Sequence, residues 1–228
     1  MTRHWLSTFG VVAVGGGVAI AAACGGDNSL GPTVPASVAA ASGDSQTVLV
    51  GNRSSAPLVA VVKNSSGAPL PNVTVNWSVT SGGGSLSDVT TTTDANGQAQ
   101  TTYRSGAIAD TVKVTASTGE RSHAFTIDLA ADTVAILSAL QGNGSAALVG
   151  YPLTIIAKAA DRFGNVIPGV AVNWSSTGGT LLSTTATTDS VGRATNVITV
   201  GPNAGNYTVT ASSRFNTVTF TVTALSSP

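Results

Sequence analysis

The sequence predicts an all-β protein built as two β-sandwiches in tandem. Three observations predict it. The chain repeats itself at a spacing near 96 residues. Within each repeat, apolar residues alternate with polar ones at a period of two, the signature of a half-buried strand. The composition suits strands as well: Thr and Val abound, charged residues are only 9% and aromatics 5% of the 228 residues.

Charge narrows the functional classes. Ten basic and ten acidic residues give a formal net charge of zero. The basic residues are scattered singly, so the chain lacks the electrostatic footprint of a nucleic-acid binder. With 42% hydrophobic residues and no net charge it is not an intrinsically disordered chain. One cysteine excludes an intrachain disulfide.

The N-terminus reads as an export signal over residues 1–23. Arg3 and His4 form a short basic region, and Trp5 to Ala23 carries no formal charge. The run ends Ala21-Ala22-Ala23-Cys24, small residues in the manner of a signal-peptidase site. A cysteine directly after them resembles the bacterial lipobox, which implies that Cys24 becomes a lipidated first residue and holds the protein on a membrane. Ala21 stands where the lipobox usually has Leu. The competing reading is an uncleaved anchor, since about 20 apolar residues span a bilayer. Gly10, Gly15, Gly16 and Gly17 make the run a poor permanent helix. Residues 24–33 form a Gly/Pro/polar stretch without apolar period, expected to be a disordered tether reaching at most about 35 Å. Gly25 follows the cysteine, where Asp would resemble an inner-membrane retention signal. The expected address is therefore the cell envelope, at the outer membrane or cell surface.

Everything after the tether is one unit written twice. Val73-Thr74-Val75-Asn76-Trp77-Ser78 recurs as Val170-Ala171-Val172-Asn173-Trp174-Ser175, and Thr92-Thr93-Asp94-Ala95-Asn96-Gly97-Gln98-Ala99 as Thr187-Thr188-Asp189-Ser190-Val191-Gly192-Arg193-Ala194. Val112 to Ser117 returns as Tyr207 to Ser212, and Leu49-Val50-Gly51 as Leu148-Val149-Gly150. A period this long fits a self-contained domain rather than a solenoid repeat. The expected domains are 34–130 and 131–228.

The strands follow from the alternation. Val73, Val75, Trp77 and Val79 share one face, as do Val112, Val114 and Ala116, then Phe125, Ile127 and Leu129. Tyr207, Val209 and Ala211, with Val218, Phe220 and Val222, repeat the pattern in the second unit. Turn residues separate them at Asn64 to Gly67, Gly82 to Gly84, Asp94 to Gly97, Arg162 to Asn165 and Gly201 to Asn203. About seven short strands around one central Trp per unit predict an immunoglobulin-like sandwich, with Trp77 and Trp174 as buried core residues. Few residues separate the strand ending at Leu129 from one expected near Thr133. Such a join predicts a stiff end-to-end pair rather than two freely tethered beads.

Each unit resembles a bacterial immunoglobulin-like domain of group 1, of the invasin and intimin type. The resemblance rests on Pro71-Asn72-Val73-Thr74-Val75-Asn76-Trp77, Thr93-Asp94-Ala95-Asn96-Gly97-Gln98-Ala99 and Val114-Thr115-Ala116. Their second copies are Pro168 to Trp174, Thr188 to Ala194 and Val209-Thr210-Ala211. It covers nearly all of residues 36–224. It implies a non-enzymatic envelope protein whose tandem domains act as a spacer or adhesion module. The invasin and intimin type also carries an outer-membrane β-barrel and a lectin-like tip, to which nothing in this sequence corresponds. Receptor binding is therefore not implied.

Chemistry offers little against that expectation. His123 is the one histidine after the export segment, and it reads as an ordinary surface residue at a strand start. With Cys24 it makes no zinc shell. Asp94, Asn96, Asp161 and Asp189 lie in turns and could offer oxygens to calcium. Their spacing is not that of a calcium loop, and turn Asp and Asn ordinarily bond their own backbone. Gly82-Gly83-Gly84 lacks the G-K-[ST] of a phosphate loop. No catalytic residue, metal or cofactor is expected. The partners implied are a membrane, through the lipid, and an unspecified protein or glycan. The alternative function is a ligand-binding lipoprotein that recognises a glycan or partner protein through its sandwich loops.

Overall fold

The computed structural model describes residues 33–214 and 216–226. The export signal, Cys24 and nearly all of the tether lie outside the described residues. Every regular element described is a β-strand.

The first domain holds ten strands: β1 (Ser37–Ser42), β2 (Gln46–Leu49), β3 (Leu58–Lys63), β4 (Thr74–Ser81), β5 (Ser85–Leu86), β6 (Thr90–Thr92), β7 (Gln98–Thr101), β8 (Tyr103–Arg104), β9 (Thr111–Thr118) and β10 (Arg121–Ala130). The second holds nine: β11 (Ile136–Gln141), β12 (Ser145–Leu148), β13 (Pro152–Ala160), β14 (Ala171–Ser176), β15 (Thr180–Leu181), β16 (Thr185–Thr187), β17 (Arg193–Thr199), β18 (Gly205–Ser212) and β19 (Thr217–Leu225). One sheet of the first domain runs β1-β3-β7, another β2-β10-β9-β4-β6, and β5 pairs with β8 in a separate two-stranded sheet. The second domain runs β11-β13-β17-β15 and β12-β19-β18-β14-β16, so its fifth strand joins a main sheet instead of standing apart.

There are more strands than the seven expected per unit, and one of the extra strands in each domain has a plain physical reason. The first long strand changes sheets partway, so it counts as two. β1 pairs antiparallel with β3, whereas β2 pairs parallel with β10. β11 and β12 divide in the same way between β13 and β19. A glycine sits at each crossing. Gly142 has φ +92°, and a Cβ there would come within 2.7 Å of Ile155 Cγ2 and of the Thr154 carbonyl oxygen. Only a residue without a side chain lets the strand cross so close to its neighbour.

The alternating residues fill the space between the sheets. Val75, Val112, Val114, Ala116, Phe125 and Ile127 are buried in the first core; Val172, Val209, Ala211, Phe220 and Val222 in the second. Trp77 is 3% exposed and Trp174 4%. Each indole leans on the phenylalanine of the last strand, Trp77 on Phe125 and Trp174 on Phe220, both with ring centroids 5.7 Å apart. Such tilted contacts add to the area an aromatic buries.

Two tyrosines make the cores differ. Tyr103 is fully buried, and its hydroxyl donates to the Gly83 carbonyl. Burial pushes that hydroxyl's pKa up. The matching residue of the second domain is Ile198, also fully buried. There the tyrosine is Tyr207, on the next strand in sequence and in the opposite sheet, donating to the Asn203 carbonyl at 2.8 Å.

Candidate functional site

One local device recurs four times and accounts for every acidic turn residue weighed as a metal ligand. It is Asx-x-x-Gly-x, at Asn64 to Ala68, Asp94 to Gln98, Asp161 to Asn165 and Asp189 to Arg193. In each, the first side chain's Oδ1 accepts the N–H groups two and four residues on, at 2.8–3.0 Å. The glycine N–H donates to the first residue's carbonyl, and each of these glycines has positive φ, from +69° to +91°. An Asx side chain that closes its own turn is the ordinary use of Asp and Asn there. One oxygen of each carboxylate, Oδ1, is taken up by backbone amides, and no cluster of three potential ligands occurs among the described residues.

The Thr-Asp-x-x-Gly-x-Ala segments become intelligible residue by residue. Thr93 Oγ accepts the Val73 N–H at 2.8 Å and donates to the Leu70 carbonyl at 2.7 Å. Thr188 does the same with Val170 and Ile167, both at 2.8 Å. The threonine thus ties the loop before the tryptophan strand to the turn. The Asp closes the turn, the glycine supplies its positive φ, and Ala99 or Ala194 packs in the core.

His123 differs from the surface residue expected. It is the third residue of β10, half-buried, with its ring edge-on to Phe125 at 5.0 Å and its Nε2 3.5 Å from Asp44 Oδ2. Asp44 in turn accepts the N–H groups of Ser45 and Thr126 through Oδ1, both at 2.8 Å. The arrangement braces the crossing between β1 and β2 and contains no nucleophile. In the second domain Asn143 replaces Asp44, accepting the Thr221 N–H at 2.9 Å, and Val218 replaces His123.

Where the domains meet, side chains from the Asp161 turn reach the first domain. Asn165 contacts the backbone of Ala107 and Ala109. Phe163 and Arg162 pack over Gly51, where a Cβ would stand 3.0 Å from Phe163 Cζ and 3.2 Å from Arg162 Nη2. Arg162 also stacks on Phe163, 4.7 Å above its ring, and approaches Asp132 at 3.5 Å. The connecting segment is longer than expected: β11 begins at Ile136, not near Thr133. Asp132 is held instead by its N–H, which donates to Asp161 Oδ2 at 3.1 Å.

Asp161 is 0% exposed. Burial pushes its carboxyl up, but hydrogen bonds from the Asn165 side chain and the N–H groups of Asp132, Asn165 and Phe163 outweigh that and leave its pKa below the usual range. Beside it an open groove of about 620 Å³ runs over Val134, Ile167, Val170 and Ala171, and its described lining contains no histidine, cysteine or paired carboxylates. The far end of the second domain exposes large apolar side chains. Leu148 and Leu225 are register partners and both exposed, and Tyr151, whose N–H donates to the Leu148 carbonyl, is 59% exposed.

Two successive sandwiches, each with a strand that crosses between sheets and a tryptophan at its centre, define a tandem immunoglobulin-like protein. The chain belongs to the bacterial Ig-like domain (group 1) family, whose model matches residues 33–130 and 150–225. The structure of the Escherichia coli adhesin FdeC is similar over 81% of this chain and 63% of that one, with 19% identity and a TM-score of 0.51. This chain thus spans less than two thirds of the FdeC structure. The D0-D1 domains of intimin match 82% of this chain and 95% of theirs, at 20% identity and a TM-score of 0.34. Invasin, a bacterial integrin-binding protein, matches over 83% and 40%, at 21% identity and a TM-score of 0.38. At these identities the likeness is one of fold. No curated protein matches the chain.

Proposed function

We propose that this chain is a non-enzymatic, lipid-anchored envelope protein whose two Ig-like domains serve as a spacer or adhesion module at the outer membrane or cell surface. The observation that carries the reading is the use made of the polar side chains. The turn carboxylates close turns, the buried threonines tie loops to strands, and Asp161 and Asn165 join one domain to the next. An enzyme needs a concave pocket with convergent acid, base or nucleophile, and the groove beside Asp161 offers none. Holding two domains together suits a spacer.

Anchoring rests on Cys24 and the small residues before it. No helix of the described residues is long and apolar enough to cross a membrane. Two or three acyl chains, at about 0.8 kcal/mol per buried methylene, hold a protein firmly. The test is membrane fractionation with intact-mass measurement. The wild type is expected in the membrane fraction with acyl mass on Cys24, and Cys24→Ala is expected unprocessed or released. An unmodified Cys24 thiol on the wild-type protein overturns the anchor.

The exposed Leu148, Leu225 and Tyr151 favour a second reading, a lipoprotein that binds a partner protein or glycan at the far end of its second domain. A Tyr151→Ala, Leu225→Ser double variant that loses binding in a glycan-array or pull-down screen, with its fold intact, supports that reading over a plain spacer.

A further inference from the structure

We propose that the Asn165 side-chain amide is a two-point lock that holds the second domain in one orientation on the first. Its Oδ1 accepts the Ala109 N–H at 2.9 Å, and its Nδ2 donates to the Ala107 carbonyl at 2.7 Å. The amide therefore pairs with the loop between β8 and β9 as a neighbouring strand would, one donor and one acceptor at each side. Both contacts require the same amide orientation, and a flipped amide would set donor against donor and acceptor against acceptor.

The lock is itself held. Asn165 Nδ2 also donates to Asp161 Oδ2 at 2.9 Å, and the Asn165 N–H donates to Asp161 Oδ1 at 2.9 Å. Asp161 Oδ2 takes the Asp132 N–H from the connecting segment. One buried carboxylate thus binds the connector, the turn and the lock together. Charge-assisted hydrogen bonds of this kind are stronger than neutral ones. Beside the amide, Phe163 and Arg162 close over Gly51, where any side chain would meet them.

The internal repeat supplies a control. The same turn in the first domain is Asn64-Ser65-Ser66-Gly67-Ala68, with the same backbone hydrogen bonds within the turn but Ala68 in the place of Asn165. The turn's own geometry needs no amide there, so the turn does not explain Asn165; the Ala107–Ala109 loop does. The inference deepens the spacer reading, because a spacer transmits direction only if its joints are set. It is separate from the anchor. A chain that proved unlipidated would still carry the lock, and a lock that failed would leave Cys24 as it is.

Amide hydrogen exchange on the unaltered protein tests it without a variant. The Ala109 N–H has the Asn165 side chain as its partner, whereas Ala204, at the matching place of the second domain, has none among the described residues. Ala109 is expected to exchange at least tenfold more slowly than Ala204, after correction for intrinsic rates; equal rates overturn the proposal. Asn165→Ala then adds a geometric readout in the full chain, with spin labels at Lys113→Cys and Thr219→Cys, both exposed positions. The distance distribution is expected to broaden about twofold or more on Asn165→Ala, and not on Ala68→Asn. A distribution that is equally narrow with and without the amide, while both domains keep their unfolding midpoints, also overturns it.

Discussion

Replacing Ala186 by Thr is expected to stabilise the second domain, and the first domain shows why. Trp77 Nε1–H donates to Thr91 Oγ1 at 2.8 Å, with Thr91 on β6 opposite Val75. In the second domain Ala186 stands on β16 opposite Val172, the same place in the register. Trp174 Nε1 is consequently buried with no acceptor among the described residues. A buried donor left unmade costs about 1–3 kcal/mol, and a typical completed hydrogen bond contributes a net 0.5–1.5 kcal/mol or so. Ala186 is only partly buried, which lowers the desolvation cost of the new hydroxyl and places the expected gain near 1 kcal/mol. Thr also suits a strand better than Ala. For a domain of this size, about 1 kcal/mol raises the melting midpoint by roughly 4–8 °C. The reciprocal change, Thr91→Ala, should lower the first domain's midpoint by a similar amount. Calorimetry follows both transitions, and the indole N–H resonances assign each to its domain. The Trp174 indole proton should also exchange more slowly in Ala186→Thr. A domain-two midpoint that stays unchanged or falls, alongside a destabilising Thr91→Ala, would refute the equivalence of the two sites.

Three further outcomes are expected. Trp77→Ala and Trp174→Ala should each cost about 3–5 kcal/mol in their own domain by chemical denaturation, and a loss below about 1 kcal/mol would contradict the packing of the indoles on Phe125 and Phe220. Asp161 titrates below its unfolded value of about 3.9, so its contribution is present above that pH and is lost as pH falls through the lower, folded value; Asp161→Asn should flatten the second domain's loss of stability below about pH 4, and an unchanged acid profile would show the carboxylate to be idle. Gly142→Val should destabilise the second domain by about 2 kcal/mol or more, since φ +92° and the approach to Ile155 both exclude a branched side chain; wild-type stability would argue against the crossing drawn there.

The sequence was sufficient for whatever depends on neighbours along the chain. Strand phase was legible because a side chain's face is set by a period of two. Val75 and Trp77, or Val209 and Ala211, therefore had to enter the same core. The turns were legible because Asp or Asn three residues before Gly closes a turn by itself, wherever it occurs. The repeat needed no structure at all. Even so, the four Asx turns look alike in sequence, and nothing local distinguishes Asn165 from Ala68 as a residue that reaches another domain.

Tertiary structure decided the rest, because those contacts join residues far apart in sequence. Asn165 meets Ala107 and Ala109 across 58 and 56 positions. Trp174 lacks an acceptor because Ala186 rather than Thr lies across the sheet from Val172, a fact invisible until the register is known. The first long strand of each domain divides because its two halves find hydrogen-bonding partners in different sheets, β3 and β10 or β13 and β19. The start of β11 moved from Thr133 to Ile136 because Asp132 is drawn to the buried Asp161 carboxylate instead of entering a ladder. A local pattern fixes which way a side chain points; what it meets there depends on the packing of the whole chain.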